Sequence, residues 1–138
     1  MVRCDGALIN PETEFLAFNS NLHGICLEHV AGAPTWKRIY PALRELLSNR
    51  ILVSHTYFDR AALHLACQRY RLEMFPYTEW VDSCEIARKA WPQLANHKLT
   101  SLAKNFKIKY HAHDAAEDAR VAGEIFLLAK ATARTPKR

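Results

Sequence analysis

Hydrophobic and polar positions along this chain follow two periods, one typical of strands and one typical of helices. The β-branched run "RILVSH" predicts a buried strand that ends at Ser54 and His55, and "TEWVDS" predicts a second short strand. Apolar residues at helical spacing predict helices after Pro34, from Phe58, and in "SCEIARKAW", "LTSLAKNF" and "AAEDARVAGEIFLLAKA". The alternation of strands with helices therefore predicts an α/β fold with a largely parallel sheet.

The first part of the chain adds a different element to that sheet. "MVRC", "DG" and "ALINPE" predict an antiparallel hairpin, because Asp-Gly is a strong signal for a two-residue turn. Asn19, Ser20, Asn21 and Gly24 indicate a loop, and a short helical turn is expected around 27–30. The predicted sheet is therefore mixed.

A length of 138 residues predicts one domain, over 1–131, with a basic tail over 132–138. No apolar run approaches membrane-spanning length, and "MVRCDGALIN" lacks the pattern of a secretory signal. We therefore expect a cytoplasmic protein that does not insert into a membrane. Its scattered cysteines, with no metal-binding spacing, are expected to be reduced thiols.

The net charge of +5 favours a polyanionic partner, nucleic acid first, through neutralisation of phosphates. A basic, solvated surface without any partner would carry the same charge. Charge therefore supports a nucleic-acid function only together with a site.

Acids and histidines gather where the predicted strands end and helices begin. "SHTYFDR" places His55 at a strand end and Asp59 at a helix start, and "WVDS" places Asp82 at another strand end. "HAHDAAEDA" places His113 before the last helix and Asp118 in its first turn. Ligand sites of open α/β sheets collect at such ends. Carboxylates there would repel one another unless a hard cation lay between them, and a nearby histidine could activate water.

Several of these acids have a structural alternative. Asp82 with Glu85, and Asp114 with Glu117, fit the capping box of a helix N-terminus. Asp118 lies past the cap, on the edge of the buried face, where an unpaired carboxylate would be costly. An interaction with the helix dipole and a role as metal ligand both remain open for Asp118.

Taken in order, "ILVSHTYFDRAAL", "WVDSCEIARKAWP" and "HAHDAAEDARVAG" resemble the DEDDh group of 3′–5′ exonucleases. These are relatives of the proofreading subunit of bacterial replicative polymerase and have a ribonuclease-H-like fold. The resemblance covers residues 1 to about 130. It implies a two-metal hydrolase that uses Mg²⁺ or Mn²⁺, with Asp59 and Asp118 as metal ligands and His113 as general base. His111 falls outside the motif.

The stretch "NSNLHGICLEHV" resembles the family's His-Gly-Ile loop. The resemblance implies that His23, Gly24 and Ile25 lie against the terminal nucleotide of a DNA or RNA 3′ end, with His55 close by. A turn with a packed isoleucine is the structural alternative.

One motif of the family has no counterpart in this chain. Asp-x-Glu, on the first and central strand of the family, should precede the hairpin, but "MVRCDG" already aligns with the second strand. Glu12 and Glu14 follow the hairpin and do not replace it. We therefore expect the first strand to be missing, divalent ions to bind weakly, and an exposed sheet edge that invites pairing with a second copy.

Two functions are consistent with this pattern. The first is a 3′–5′ exonuclease domain that works in DNA replication or repair beside a polymerase or repair complex, with low or absent activity in these 138 residues alone. The second is an inactive module that binds nucleic acid or a replication or repair protein.

Overall fold

The computed structural model describes residues 6–14 and 16–134 of the chain. Over that range the elements are α1 (Ala17–His23), α2 (Leu27–Val30), α3 (Trp36–Leu47), β1 (Ile51–Ser54), α4 (Phe58–Arg69), β2 (Glu79–Asp82), α5 (Ser83–Ala90), α6 (Leu99–Asn105) and α7 (Ala115–Arg134). The predicted α/β character is confirmed.

Strands β1 and β2 pair in parallel, with α4 in the connection between them. Ser54 lies opposite Asp82, so both strands end at the same edge of the sheet. The Trp80 indole N–H donates to the buried Ser54 hydroxyl (2.8 Å), which joins the two strands at that edge. In the described residues β1 pairs with β2 alone, and Ile51 is 54% exposed. The prediction of a buried strand is therefore wrong at Ile51, whereas Leu52 and Val53 are half-buried and Ser54 is buried.

The predicted hairpin is not present among the described residues. Its first arm and Asp5 of its turn lie outside them. In the second arm only Asn10 forms a bridge, which is parallel and made with Thr35. Pro11 follows directly and has no N–H to continue a ladder. The sheet that the structure describes is consequently parallel and not mixed.

Helix α1 corrects the predicted loop over residues 19–21. The polar residues of that stretch lie inside the helix, which ends at Gly24. Gly24 adopts φ +70°, and its N–H donates to the Ser20 carbonyl (2.9 Å). A residue in the left-handed region is a common end for a helix, and glycine adopts that conformation without steric cost. Glycine therefore marks the end of a helix here, and not a loop as such.

Two hydrophobic clusters form the core. The first, the α5–α7 cluster, consists of Ala87, Trp91, Leu102, Ala103, Val121, Ile125 and Ala129. The second lies between α3 and α4 and consists of Trp36, Tyr40, Cys67 and Phe75. The helical spacing of apolar residues in α7 predicts a buried stripe of Val121, Ala122, Ile125, Leu128 and Ala129, and all of these are buried except Leu128, which is 40% exposed. Packing of α7 on both α5 and β1 brings the start of α7 to the strand-end edge of the sheet.

Helix α7 extends to Arg134, past residue 131, where the sequence placed the end of the domain. Residues 135–138 of the predicted tail lie outside the described residues. Among the described helices, α7 included, none combines the length and the apolar character needed to cross a membrane.

The turn from β1 into α4 is held by Asp82. Thr56 adopts φ +72°, which is unfavourable for a β-branched residue. Its N–H donates to Asp82 Oδ1 (2.9 Å), and its carbonyl accepts from the Ser54 hydroxyl (2.9 Å). Asp82 Oδ1 also accepts from the Cys84 N–H (2.8 Å), which confirms its predicted role as the cap of α5. One carboxylate thus fixes the starts of two helices.

His55 adds a second connection at the same edge. Its Nε2 donates to the His97 carbonyl (2.8 Å), which leaves Nδ1 to accept from the Ser83 hydroxyl (2.9 Å) in the neutral ring. Burial lowers the pKa of the His55 imidazole below its ordinary value. The neutral ring therefore joins the end of β1 to α5 and to the loop before α6.

Replacing Thr56 by asparagine should stabilise the fold. Asparagine tolerates the left-handed region, where an ordinary L-residue loses about 1 kcal/mol or more. We expect Thr56→Asn to raise the free energy of unfolding in urea by about 1 kcal/mol. Thr78→Asn is the matched control, since Thr78 is exposed and has no positive φ. Equal effects at both positions would show that Thr56 is not strained.

The stability of the fold should fall in mildly acidic solution because of His55. The unfolded chain takes up a proton at His55 near pH 6.5, whereas the folded ring does so only at lower pH. The free energy of unfolding should therefore decrease as the pH drops through about 6.5. His55→Gln should make this slope shallower while differing from wild type by a constant above about pH 7.5. Parallel slopes for the two proteins in urea titrations would contradict the assignment.

Candidate active site

Asp59 and Asp118 come from the first turns of α4 and α7. Partial burial of its carboxyl group raises the pKa of Asp59, and the negative charge of Asp118 adds to the rise. The two carboxylates are thus close enough to repel each other. The structure brings these two predicted metal ligands to one edge of the sheet, and their role as ligands stays a prediction.

Tyr110 is a contact of Asp118 that the sequence did not indicate. Its hydroxyl donates to Asp118 Oδ1, and its ring packs against the α5–α7 cluster. Burial, together with the hydrogen bond to Asp118, raises the pKa of Tyr110 well above its ordinary value. The phenol is therefore a neutral donor. The extended stretch "KIKYH" carries no pattern that would have assigned this residue to the site.

The chain directly before Tyr110 is fastened to α7. Arg120 donates to the Lys109 carbonyl (2.6 Å) and forms an ion pair with Glu117 (2.7 Å). The hydrogen bond from Arg120 lowers the pKa of the Glu117 carboxyl group below its ordinary value. Glu117 therefore helps Arg120 to anchor the loop instead of completing the predicted capping box.

His113 lies in the loop before α7, at the helix end that carries Asp118. It is exposed and adopts φ +68°, a region in which histidine is enriched several-fold. The next residue, Asp114, accepts from the N–H groups of Ala116 (3.0 Å) and Glu117 (3.1 Å), which confirms its predicted cap. The imidazole of His113 is open to solvent, and its function as general base stays a prediction.

His55 lies beside the acidic pair but is engaged elsewhere. The charges of Asp82 and Asp59 favour its protonated form, although burial outweighs them. Both of its ring nitrogens already have partners, so contact with a nucleotide would require the ring to leave them. In the structure the His55 ring supports the end of β1, and its contact with a nucleotide stays a prediction.

His23, Gly24 and Ile25 form the turn that follows α1. The Ile25 N–H donates to His23 Nδ1 (3.1 Å), and Ile25 is half-buried. The sequence left a turn at this place as an alternative, although Ile25 does not belong to either of the two hydrophobic clusters of the described residues. Helix α1 has no part in the most extensive contacts between described elements, which join α5 to α7, β1 to β2, α7 to β1, α6 to α7 and α4 to β1. Contact of the turn with a nucleotide stays a prediction.

Two aromatic side chains stand directly before Asp59. Tyr57 is 79% exposed and Phe58 is 72% exposed, which is unusual for large aromatic residues beside a strand end. Exposed aromatic rings can stack on nucleobases irrespective of sequence. The adjacent pair "YF" within "SHTYFDR" is the sequence signal for this surface.

The donor set suits a divalent cation only in part. Carboxylate oxygens are the ligands that Mg²⁺ and Mn²⁺ prefer. Across residues 6–14 and 16–134, however, no three His, Cys, Asp or Glu side chains converge as a metal site. Mg²⁺ is often held by one or two carboxylates and completed by water and substrate phosphates. Asp59 and Asp118 fit that kind of weak, substrate-completed site.

A solved structure shares this fold. "Exonuclease X in complex with 5′ overhanging duplex DNA" superposes with a TM-score of 0.68 at 20% sequence identity, over 94% of this chain and 74% of that chain. The likeness confirms the predicted ribonuclease-H-like architecture.

Curated relatives are the proteins named DNA polymerase III PolC-type. The protein of Caldanaerobacter subterraneus subsp. tengcongensis is 31% identical over 121 residues, which is 86% of this chain and 8% of the relative. That of Latilactobacillus sakei subsp. sakei is 32% identical over 117 residues, 83% of this chain and 8% of the relative. The chain therefore spans less than a tenth of the length of these relatives.

A family model matches most of the chain. The model RNase_T, described as "Exonuclease", matches residues 7–126. The matched stretch contains the acidic pair and His113. As its sequence motifs predicted, the chain belongs to the RNase_T exonuclease family.

Proposed function

We propose that this chain is a 3′–5′ exonuclease domain that removes nucleotides from the 3′ end of a single strand. The observation that carries the proposal is the pairing of Asp59 with Asp118 at the strand-end edge, within the segment that matches the exonuclease family. The structural neighbour was solved with DNA and the curated relatives are DNA polymerases, which favours DNA over RNA as the substrate and a polymerase as the partner.

The proposed mechanism gives each side chain one task. Asp59 and Asp118 would hold Mg²⁺ or Mn²⁺, in a site for which the family implies two ions. Such ions supply Lewis acidity and stabilise charge on the attacking and leaving oxygens. His113, exposed at the start of α7, takes a proton from the attacking water on a ring nitrogen. Tyr57 and Phe58 stack on bases near the 3′ end.

A second candidate function is a module that binds a strand without cutting it. The observation in its favour is the composition of the acidic site. The 138 residues contain no Asp-x-Glu, and the described residues present two converging acids where a catalytic metal centre often has more. The exposed aromatic pair and the net charge of +5 would serve binding in either case.

Substitution of the acidic pair and of His113 tests the catalytic proposal. With Mn²⁺ and a 3′-labelled single strand, we expect slow release of mononucleotides by the wild type. Asp118→Asn, Asp59→Asn and His113→Ala should each lower the rate by about 100-fold or more, since a positioned base alone contributes about that much. His111→Ala is the control, because His111 lies outside the motif and is exposed like His113.

The results separate the two functions. A wild type that binds the strand, but releases no nucleotide at any Mn²⁺ concentration, would favour the binding module. Equal losses in His111→Ala and His113→Ala would remove His113 from the role of general base.

Strand binding should depend on the exposed aromatic pair. Stacking on one base contributes about 1–3 kcal/mol, so Tyr57→Ala should weaken binding of a fluorescent single strand by about 5-fold or more. Leu127→Ala is the matched control, because Leu127 is an exposed apolar residue (62%) on α7. Identical affinities for the two variants, measured by anisotropy at one salt concentration, would show that Tyr57 does not stack.

A further inference from the structure

We infer that Tyr110 is a positioning residue for Asp118, and that its phenol fixes one carboxylate oxygen so that the other is available to a divalent cation. The hydroxyl of Tyr110 donates to Asp118 Oδ1. The inference rests on the proposed function, in which Asp118 is a ligand of Mg²⁺ or Mn²⁺. Groups that form hydrogen bonds to a metal-coordinating side chain orient that side chain toward the metal.

The ring of Tyr110 is well placed for this task. It packs against the α5–α7 cluster, so the phenol approaches Asp118 from the core. The Lys109 carbonyl accepts from Arg120, which lies on α7 and is paired there with Glu117 and Glu124. The chain neighbour that precedes Tyr110 is thus tied to α7, the helix that carries Asp118. The phenol and the carboxylate therefore keep a constant relative position.

The charge of the group that donates to Asp118 matters as much as the position of that group. The phenol of Tyr110 is an uncharged hydrogen-bond donor near neutral pH. A neutral donor orients Asp118 without cancelling its negative charge, whereas a lysine or arginine would form an ion pair. The attraction between Asp118 and a cation is preserved.

Phenylalanine at position 110 removes the hydroxyl and keeps the ring. We expect Tyr110→Phe to bind Mn²⁺ about 10-fold more weakly, as measured from the electron paramagnetic resonance signal of free Mn²⁺. Its melting temperature should fall by only a few degrees, since one hydrogen bond is lost. Asp118→Asn should lose the Mn²⁺ site.

The chain offers a matched control. Tyr70 donates to the carboxylate of Glu12 (2.6 Å), which is the same kind of pair at a position away from the acidic pair. Tyr70→Phe should bind Mn²⁺ like the wild type. Mn²⁺ should also perturb the ultraviolet absorption of tyrosine in the wild type and in Tyr70→Phe, but not in Tyr110→Phe. This signal reports the phenol beside the cation, which a role in packing alone would not produce.

The outcomes distinguish the inference from the proposed function. Mn²⁺ binding by Tyr110→Phe that equals or exceeds that of the wild type would overturn the inference, while loss of binding in Asp118→Asn would leave the proposed function standing. Wild-type binding by Asp118→Asn would instead remove the metal assignment. An unfolded Tyr110→Phe would assign the hydroxyl to folding and would also overturn the inference.

Discussion

The arrangement of the site depends on the two hydrogen bonds that the carboxylate of Asp82 accepts. Its Oδ1 accepts from the N–H of Cys84, in the first turn of α5, and from the N–H of Thr56, in the turn that leads into α4. The second bond holds Thr56 in the left-handed region despite its β-branched side chain. Asp59 follows within the first turn of α4, so its direction depends on this turn. Asp82 was correctly predicted as a cap from its capping-box pattern, but its bond to Thr56 crosses between strands and could not be inferred from local sequence.

The position of α7 is the second constraint, and it arises from packing. Ala87 and Ala129 are fully buried in the α5–α7 cluster, and small side chains let helices approach closely. Asp118 lies at the end of the same buried stripe, so the helix that fills the core also carries a charge to the edge of the sheet. Burial raises the pKa of Asp59, and the negative charge of Asp118 adds to the rise, so the two carboxylates repel each other at this edge. Such repulsion is typical of sites that hold a cation or share a proton.

Local signals in the sequence were sufficient to predict most of the helices and both strands of the described residues. Apolar spacing predicted α3, α4, α5 and α7, and Asp114 was predicted as a cap because its partners lie two and three residues away. The failures have two physical causes. Asn19–Asn21 have low helix propensity, yet they lie within α1, so propensity was overridden by context. Tyr110 and the His55 contact to His97 depend on tertiary packing, which a pattern of hydrophobic positions does not encode.

A site with two protein carboxylates has a consequence for how metal and substrate interact. Two acids leave most positions around Mg²⁺ or Mn²⁺ to water and to phosphate oxygens. Under the proposed function, a bound strand would therefore supply ligands beyond the two carboxylates of the described residues, and metal and strand would each strengthen the binding of the other by the same factor. A neutral phenol on Asp118 suits such a site, because it fixes a ligand without reducing the charge available to the cation. A hydrogen bond that orients a metal ligand matters more when the protein supplies few ligands, since each carboxylate then contributes a larger share of the metal-binding energy.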